Sequence, residues 1–337
     1  MTPDFTISAD GLDVTDRFSG RKIELEVVDA RGTESDSAEI GIFDPEAIVQ
    51  PPRRGAVLSI AMGYRETGLV PMGSFKVDQV RFKGYPHTIR ITANAADNKK
   101  SLKERRTKDY TNKTLGEVVQ EIAGRHGLRG QVAGDLASIK FPLLAGSDQS
   151  YIGQHEESDE AFLTRVSEGL GGFMAIKDGQ LLVARAGDGK SMSGASGMIV
   201  IRPQMLIDRD AYEVSFKDKP IHGEVEASYF DRGKVARQPV TEGGGDGGVT
   251  FRFRNPFPSR KQAEDAAKGK VRELQRHEGS ATFNCWGDAT IRAEMDLVAM
   301  GIRSGIDGVP WTIERVTQRM DSGSGFTTRI ECETKPK

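Results

Sequence analysis

Short runs in which apolar and polar positions roughly alternate mark both ends of the chain. Near the C-terminus they are Met295-Asp-Leu-Val-Ala-Met-Gly-Ile302, Trp311-Thr-Ile-Glu-Arg-Val316 and Phe326-Thr-Thr-Arg-Ile-Glu-Cys332, separated by Gly301, Gly305, Asp307, Gly308, Asp321, Gly323 and Gly325. Alternation broken by glycine and aspartate predicts an antiparallel meander. In the last run Phe326, Thr328, Ile330 and Cys332 are expected on one face, and Thr327, Arg329, Glu331 and Glu333 on the other, because successive strand side chains point to opposite sides.

The N-terminal region repeats this order. Val57–Tyr64 lines up with Met295–Ile302 through a shared Ala-Met-Gly, Phe75–Val80 with Trp311–Val316, and Thr88–Ala93 with Thr327–Cys332. Three pieces in the same order predict two copies of one β module. The expected core of the repeat is Phe75, Val77 and Val80 in one copy, and Trp311, Ile313 and Val316 in the other. Before the first copy, Ile23, Leu25 and Val27 and then Ala38, Ile40 and Ile42 alternate with polar residues. Asp44-Pro45 stops the second of these strands, since proline cannot donate to a ladder. Many short strands with glycine and proline turns suggest small barrels or sandwiches.

The period changes in the middle of the chain. Thr114-Leu-Gly-Glu117 is a capping-box sequence, and Leu115, Val118, Val119 and Ile122 follow at helical spacing up to Gly127. A second helix is predicted from Ser158, with Asp159 and Glu160 complementing its dipole and Phe162, Leu163, Val166 and Leu170 on its apolar face. Phe173–Ile176 and Leu181–Val183 around Lys177-Asp-Gly179 read as a hairpin. Further on, Tyr212, Val214 and Phe216, then Val225, Ala227 and Tyr229, alternate again. A helix near 260–278 carries a stripe of Ala263, Ala266, Ala267, Val271 and Leu274, narrow enough for close packing. The expected organisation is a first β-barrel over 1–104, an α/β insert over 105–205, and a second β-barrel over 206–337 that includes this helix. The fold class is mainly β with an α+β insert.

Composition narrows the function classes. With 337 residues the chain is long enough for two or three cores. Hydrophobic content of 37% and charged content of 28% describe an ordinary globular protein, and a formal net charge of −2 gives no global field toward nucleic acid or anionic membrane. No apolar run reaches membrane-helix length, and Met1-Thr-Pro-Asp-Phe5 does not read as a secretory signal. Cys285 and Cys332 lie in strand patterns and read as small buried hydrophobes in a reducing compartment. The basic stretch Lys99, Lys100, Lys103, Arg105, Arg106, Lys108 and Lys113 lacks interleaved aromatics, so it reads as a solvated linker rather than a nucleic-acid patch.

The motifs of chemistry are near misses. Ala184-Arg-Ala-Gly-Asp-Gly-Lys-Ser191 approaches a phosphate-binding loop, but alanine replaces its first glycine and no good helix follows. Gly243, Gly245 and Gly248 fit a dinucleotide fingerprint only because that loop is nearly all glycine. His155-Glu156-Glu157 lacks the second histidine of a zinc-protease helix. His87, His126, His155, His222 and His277 show no ligand spacing, and His126 falls where an imidazole suits a helix C-terminus. No catalytic, cofactor-binding or metal residue is assigned, which favours a structural or binding role.

Taken together, the order of weak blocks resembles the hub protein of contractile phage tails, the late control protein D family of P2-like and Mu-like phages. A related module occurs in type VI secretion spikes. The carriers are Ser37–Asp44, Gly55, Met62-Gly-Tyr64, Gly73–Asp78, Ser101–Arg106, Thr114-Leu115, Arg125–Leu128, Gln149-Ser150 through Leu163, Gly171-Gly172, the 259–278 helix and the closing ladder. The Gly243–Gly248 loop departs from the pattern.

The resemblance implies two related small β-barrels joined by α/β parts, with barrel strands that can be exchanged across the boundaries near 104 and 205. It further implies a homotrimeric ring with six similar barrels, placed between a hexameric tail tube and a trimeric spike. Expected partners are the tail spike, the tail tube and other baseplate proteins, with no specific nucleic acid and no membrane insertion. No enzymatic activity and no cofactor are expected. The expected location is the virion tail baseplate, assembled in the bacterial host cytoplasm. Alternatives from other classes are a cell-wall or carbohydrate-binding protein using the barrels, an enzyme with a site spread over loops, and a hub-like component of a type VI secretion spike.

Overall fold

The computed structural model describes residues 1–18, 20–31, 35–95, 102–141, 149–170, 172–177, 179–185, 198–216, 224–231, 236–243, 250–254, 256–257, 259–276 and 279–335. The chain divides into two compact units. One comprises Met1–Ala96, Gly189–Ser215 and Ser280–Glu333, and the other Asp97–Asp188, Phe216–Gly279 and Thr334–Lys337.

The first unit is β and contains both ladders. Along its sheet, Val57–Tyr64, Gly68–Lys83, Thr88–Ala95, Ser37–Phe43 and Ile23–Ala30 are successive neighbours. Asp296–Ala299, Pro310–Asp321, Gly325–Thr334, Gly279–Trp286 and Tyr212–Phe216 follow one another in the same way. Each set has its own core. Leu25, Ile40, Leu58, Met62, Phe75 and Ile91 belong to the first, and Phe283, Leu297, Trp311, Ile313, Val316 and Ile330 to the second.

The two modules meet where Pro310–Asp321 runs antiparallel beside Ile23–Ala30, with Val316 opposite Asp29, Gln318 opposite Val27 and Met320 opposite Leu25. The cores are not divided cleanly by sequence. Met320 and Phe326, from the closing ladder, pack in the first core. Phe326 also lies 5.5 Å from the Tyr64 ring, centroid to centroid.

One detail of the repeat is corrected by register. Leu58 stands opposite Phe75, and Leu297 stands opposite Trp311. Leu297 is therefore the counterpart of Leu58, one residue away from the match suggested by Ala-Met-Gly. Met62 is buried in the first core, whereas Met300 is exposed. A slip of one residue reverses the face of every side chain, so identity of letters here is not identity of environment.

The second unit mixes helices and short sheets. Helix α1 (Leu115–Arg125) begins with both hydrogen bonds of the Thr114–Glu117 capping box. Leu115, Val118, Val119 and Ile122 are fully buried, each contributing roughly 2 kcal/mol of apolar burial. Gly127 takes the left-handed conformation (φ +69°) that lets the chain leave the helix.

Helix α2 (Asp159–Gly169) is capped by the Ser158 side chain, which accepts from the Ala161 N–H. Phe162 and Leu163 join α1 in one core with Leu181 and Val183 of the hairpin strand Gln180–Arg185. Helix α3 (Arg260–Arg276) buries Ala263 and Ala267 against Val225 and Ala227 of the strand Glu224–Asp231. The methyl stripe brings the helix close to this sheet. The stretch 216–279, placed by sequence in the second barrel, thus falls in the second unit.

The basic stretch is also corrected. Arg105–Thr111 is a strand paired with Tyr151–Ser158, not a solvated linker. Lys99 and Lys100 lie outside the described residues.

Candidate functional site

The repeat residues lie in or beside the two cores of the first unit. Phe75, Val77, Trp311, Ile313 and Val316 are buried, and Val80 is half-buried at the edge of the first core. The two triads sit on separate strands in separate cores, so they hold structure and do not converge on a shared cleft. On the strand of Phe75 and Val77 the polar residues turn outward: Lys76, Asp78 and Gln79 are exposed.

A surface groove of about 700 Å³ lies where the strand ends of the two modules approach one another. Its lining includes Lys22, Glu24, Arg81, Lys83, Arg90 and Arg319. Part of this charge is matched within the protein. Arg319 lies 2.6 Å from Glu24 and 3.4 Å from Asp321, Arg90 bonds Glu39, and Arg81 donates to the Gln79 side chain. The lining is net cationic, and it places no nucleophile beside an adjacent base.

The most concentrated ionic chemistry is buried in the second unit, around Asp159. Its carboxylate is fully buried at the first turn of α2. Arg125 Nη1 donates to both carboxylate oxygens at 3.0 and 2.9 Å, Gln154 Nε2 donates at 2.9 Å, and His126 Nε2 lies at 2.7 Å. Arg106 Nε stands 3.5 Å away. Arg125 also donates to the Tyr110 hydroxyl at 3.3 Å, and that hydroxyl donates to Gln154 Oε1 at 3.4 Å.

Burial pushes the Asp159 carboxyl up, but the bonds from His126 and Gln154 and the charges of Arg125 and Arg106 outweigh it and leave it below the usual carboxylate range. For Arg125, burial acts downward, and the Tyr110 and Asp159 contacts more than offset it. Asp159, expected from sequence to complement the helix dipole, is also the centre of an ionic cluster. The cluster ties both helices to the strands Arg105–Thr111 and Tyr151–Ser158. Every acceptor faces a donor of the protein itself, so the arrangement locks elements together. Sequence missed it because its members lie tens of residues apart; the buried apolar faces of α1 and α2 are what bring them together.

The near-miss motifs separate in space or fall outside the described residues. His155 lies on a strand near a bulge, its Nε2 3.3 Å from the Tyr151 hydroxyl, and Glu156 has φ +47°. Residues 186–191 of the phosphate-loop-like stretch, 244–248 of the glycine-rich loop, His222 and His277 are not among the described residues. Among the described residues no three His, Cys, Asp or Glu side chains are grouped to hold a metal ion, and no helix is long and apolar enough to cross a membrane.

Comparison with known proteins places this architecture. Residues 70–317 match the family model described as phage tail baseplate hub (GPD). The chain is 32% identical to the "Probable baseplate hub protein" of Escherichia phage P2 over 99% of its length and 94% of that protein. It is 30% identical to the protein of the same description from Escherichia phage 186, with the same coverage. In fold it is similar to the 43 kDa tail protein of prophage MuSo2 from Shewanella oneidensis, with a TM-score of 0.72, 14% identity and 98% of both chains covered. It is also similar to an E. coli component of the type VI secretion system, with a TM-score of 0.55 at 12% identity, covering 98% of this chain and 76% of that one. A mainly β chain with two like-ordered ladders, matched over most of its length by this family, belongs to the phage tail baseplate hub family.

Proposed function

We propose that three copies of this chain form a ring in a contractile phage, prophage or tailocin baseplate, with the hexameric tail tube on one side and the trimeric spike on the other. The observation that carries this reading is the like order of strands in the two β modules of the first unit. Two similar modules per chain give six around a three-fold axis, and similar backbones with different surfaces allow both partners to be matched. In this ring Phe75, Val77 and Val80, with Trp311, Ile313 and Val316, are the rigid framework. The two modules correspond to the two small barrels implied by the family.

The role is structural, without an enzymatic step. The remaining partners are other baseplate proteins, with neither nucleic acid nor membrane engaged specifically, and assembly takes place in the host cytoplasm before the hub enters the virion tail. Light scattering on the purified chain over a concentration series tests the ring. The expected species has three times the 36.8 kDa chain mass. A stable dimer, or a monomer at every concentration, overturns it.

A further inference from the structure

Among the described residues a single antiparallel seam joins the two β modules, and each module presents an open counterpart of one side of that seam. The register establishes the correspondence. Ala38, Ile40 and Ile42 stand opposite Ala93, Ile91 and Ile89, while Ala281, Phe283 and Cys285 stand opposite Cys332, Ile330 and Thr328. The strand Ser37–Phe43 thus corresponds to Gly279–Trp286.

One strand further out, Leu25 faces Ile40 and Val27 faces Ala38. On the other side, Asn284 N–H donates to Ala211 O. Continuing that ladder carries Tyr212 to Phe283 and Val214 to Ala281. Leu25-Glu26-Val27 therefore corresponds to Tyr212-Glu213-Val214. Tyr212–Phe216 ends the sheet order, whereas Ile23–Ala30 is covered by Pro310–Asp321.

The other side of the seam is duplicated as well. Val80 and Phe82 stand opposite Ile91 and Ile89. Gln318 accepts from the Thr328 hydroxyl at 2.6 Å, which places the pair side by side. Val80, Phe82 and Lys83 thus correspond to Val316, Gln318 and Arg319. Val57–Tyr64 covers Gly68–Lys83 only as far as Lys76, and the loop at Gly55–Ala56 bonds Val77. Beyond that point, no strand among the described residues pairs with this edge. Phe82 is 67% exposed at a position where the covered counterpart, Gln318, is buried.

We infer that the edge Gln79–Lys83 of one chain pairs antiparallel with Tyr212–Phe216 of a second copy, repeating between chains the seam that Pro310–Asp321 and Ile23–Ala30 make within one. The occupant is a second copy because the open edges match the covered ones position by position. Within the chain, Gln318 faces Val27 and Arg319 faces Glu26. Between chains, Phe82 faces Val214 and Lys83 faces Glu213, so an apolar pair and an opposite-charge pair come into register together. An exposed strand edge is a ready template for such addition. Among the described residues each chain has one edge of each kind, so the contact is head-to-tail and closes into a ring when the rotation permits. This inference rests on the trimeric ring proposed above and names its seam.

Mixing Phe82→Cys chains with Val214→Cys chains under mild oxidation tests it. The expected product is a covalent dimer from the mixture and none from either variant alone. Phe82→Cys mixed with Ser215→Cys gives no product, because a one-residue slip turns the side chain to the opposite face. A solution trimer lacking the Phe82–Val214 link overturns the seam and leaves the ring standing, whereas a monomer at every concentration overturns both. Cross-linking between Phe82→Cys chains assigns the edge to a two-fold contact and also overturns the seam.

Charge reversal supplies a second readout that does not depend on the introduced thiols. Lys83→Glu and Glu213→Lys each weaken assembly by roughly fivefold, the scale of one cross-strand ion pair. The double variant recovers it, and a double variant weaker than either single one overturns the pairing.

Discussion

Gln318 stands opposite Val27 at the seam between the two β modules, and its amide closes a buried hydrogen-bond circuit. Nε2 donates to Asp288 O at 2.8 Å, Oε1 accepts from the Thr328 hydroxyl at 2.6 Å, and that hydroxyl accepts from the Asp288 N–H at 2.8 Å. The circuit fixes the segment around Asp288 against the closing ladder. Gln318→Leu keeps most of the volume but leaves a carbonyl and a hydroxyl without this partner. The expected loss is about 2 kcal/mol in urea unfolding, because an orphaned buried polar group costs more than its bond contributed. A neutral result would show that water replaces the amide.

Gly287 is fixed by the ring it faces. A Cβ placed there would lie 2.2 Å from the Phe326 ring. Phe326 is buried in the first core and cannot retreat without opening a cavity. Gly287→Ala is expected to lower stability by about 2 kcal/mol, the scale of overpacking. Phe326→Ala alone costs about 3 kcal/mol or more. The double variant should lose less than the two losses added, because the ring that clashes is the one removed. Simple additivity in a thermal-unfolding cycle would contradict this account.

Asp159 predicts an acid-sensitive second unit. Its carboxyl lies below the usual range when folded, so its contribution is complete above the unfolded value of about 3.9 and is lost as pH falls through the lower folded value. The protection factors of the α1 amides, observed exchange corrected for its intrinsic pH dependence, should fall as the pH drops below about 4. Asp159→Asn should cost about 3 kcal/mol or more at neutral pH, since it leaves Arg125 and Arg106 facing a neutral group. The same variant should flatten the acid dependence. If Asp159→Asn keeps the wild-type acid profile of α1 exchange, another group carries it.

The two cysteines should report unfolding rather than surface chemistry. Burial first, and then the charge of Asp288, pushes the Cys285 thiol up to about 12, and burial raises Cys332 well above its ordinary value. Both are free and buried in the second core. A thiol-specific reagent near neutral pH should label neither in the native chain, and both at the rate of global opening in urea. Fast labelling of one thiol in native buffer would reveal local opening of Gly279–Trp286 or Gly325–Thr334.

Local signals in the chain were legible where one short segment carries its own instructions. Thr114 and Glu117 bond reciprocally as their spacing predicts, and the alternation of Phe326, Thr328, Ile330 and Cys332 becomes one buried face. The match of Ala-Met-Gly misled by one residue, because strand register is set by cross-strand pairing that a linear comparison does not contain. The basic run around Arg106 was misread for a similar reason. Its cations look solvated in sequence, yet Arg106 reaches Asp159, while Lys108 and Lys113 pair with Glu121.

By itself the sequence determined the periods, the caps and turns, and the order of the three ladder pieces, since these depend on residues within a few positions of one another. Only the tertiary structure decided that Phe326 and Met320 cross into the first core, that 216–279 joins the second unit, and that Asp159 is encircled by Arg125, His126 and Gln154. Those outcomes depend on which apolar faces bury one another. Such burial is non-directional and pairs segments hundreds of residues apart, so it is settled by the packing of the whole chain and not by any one stretch.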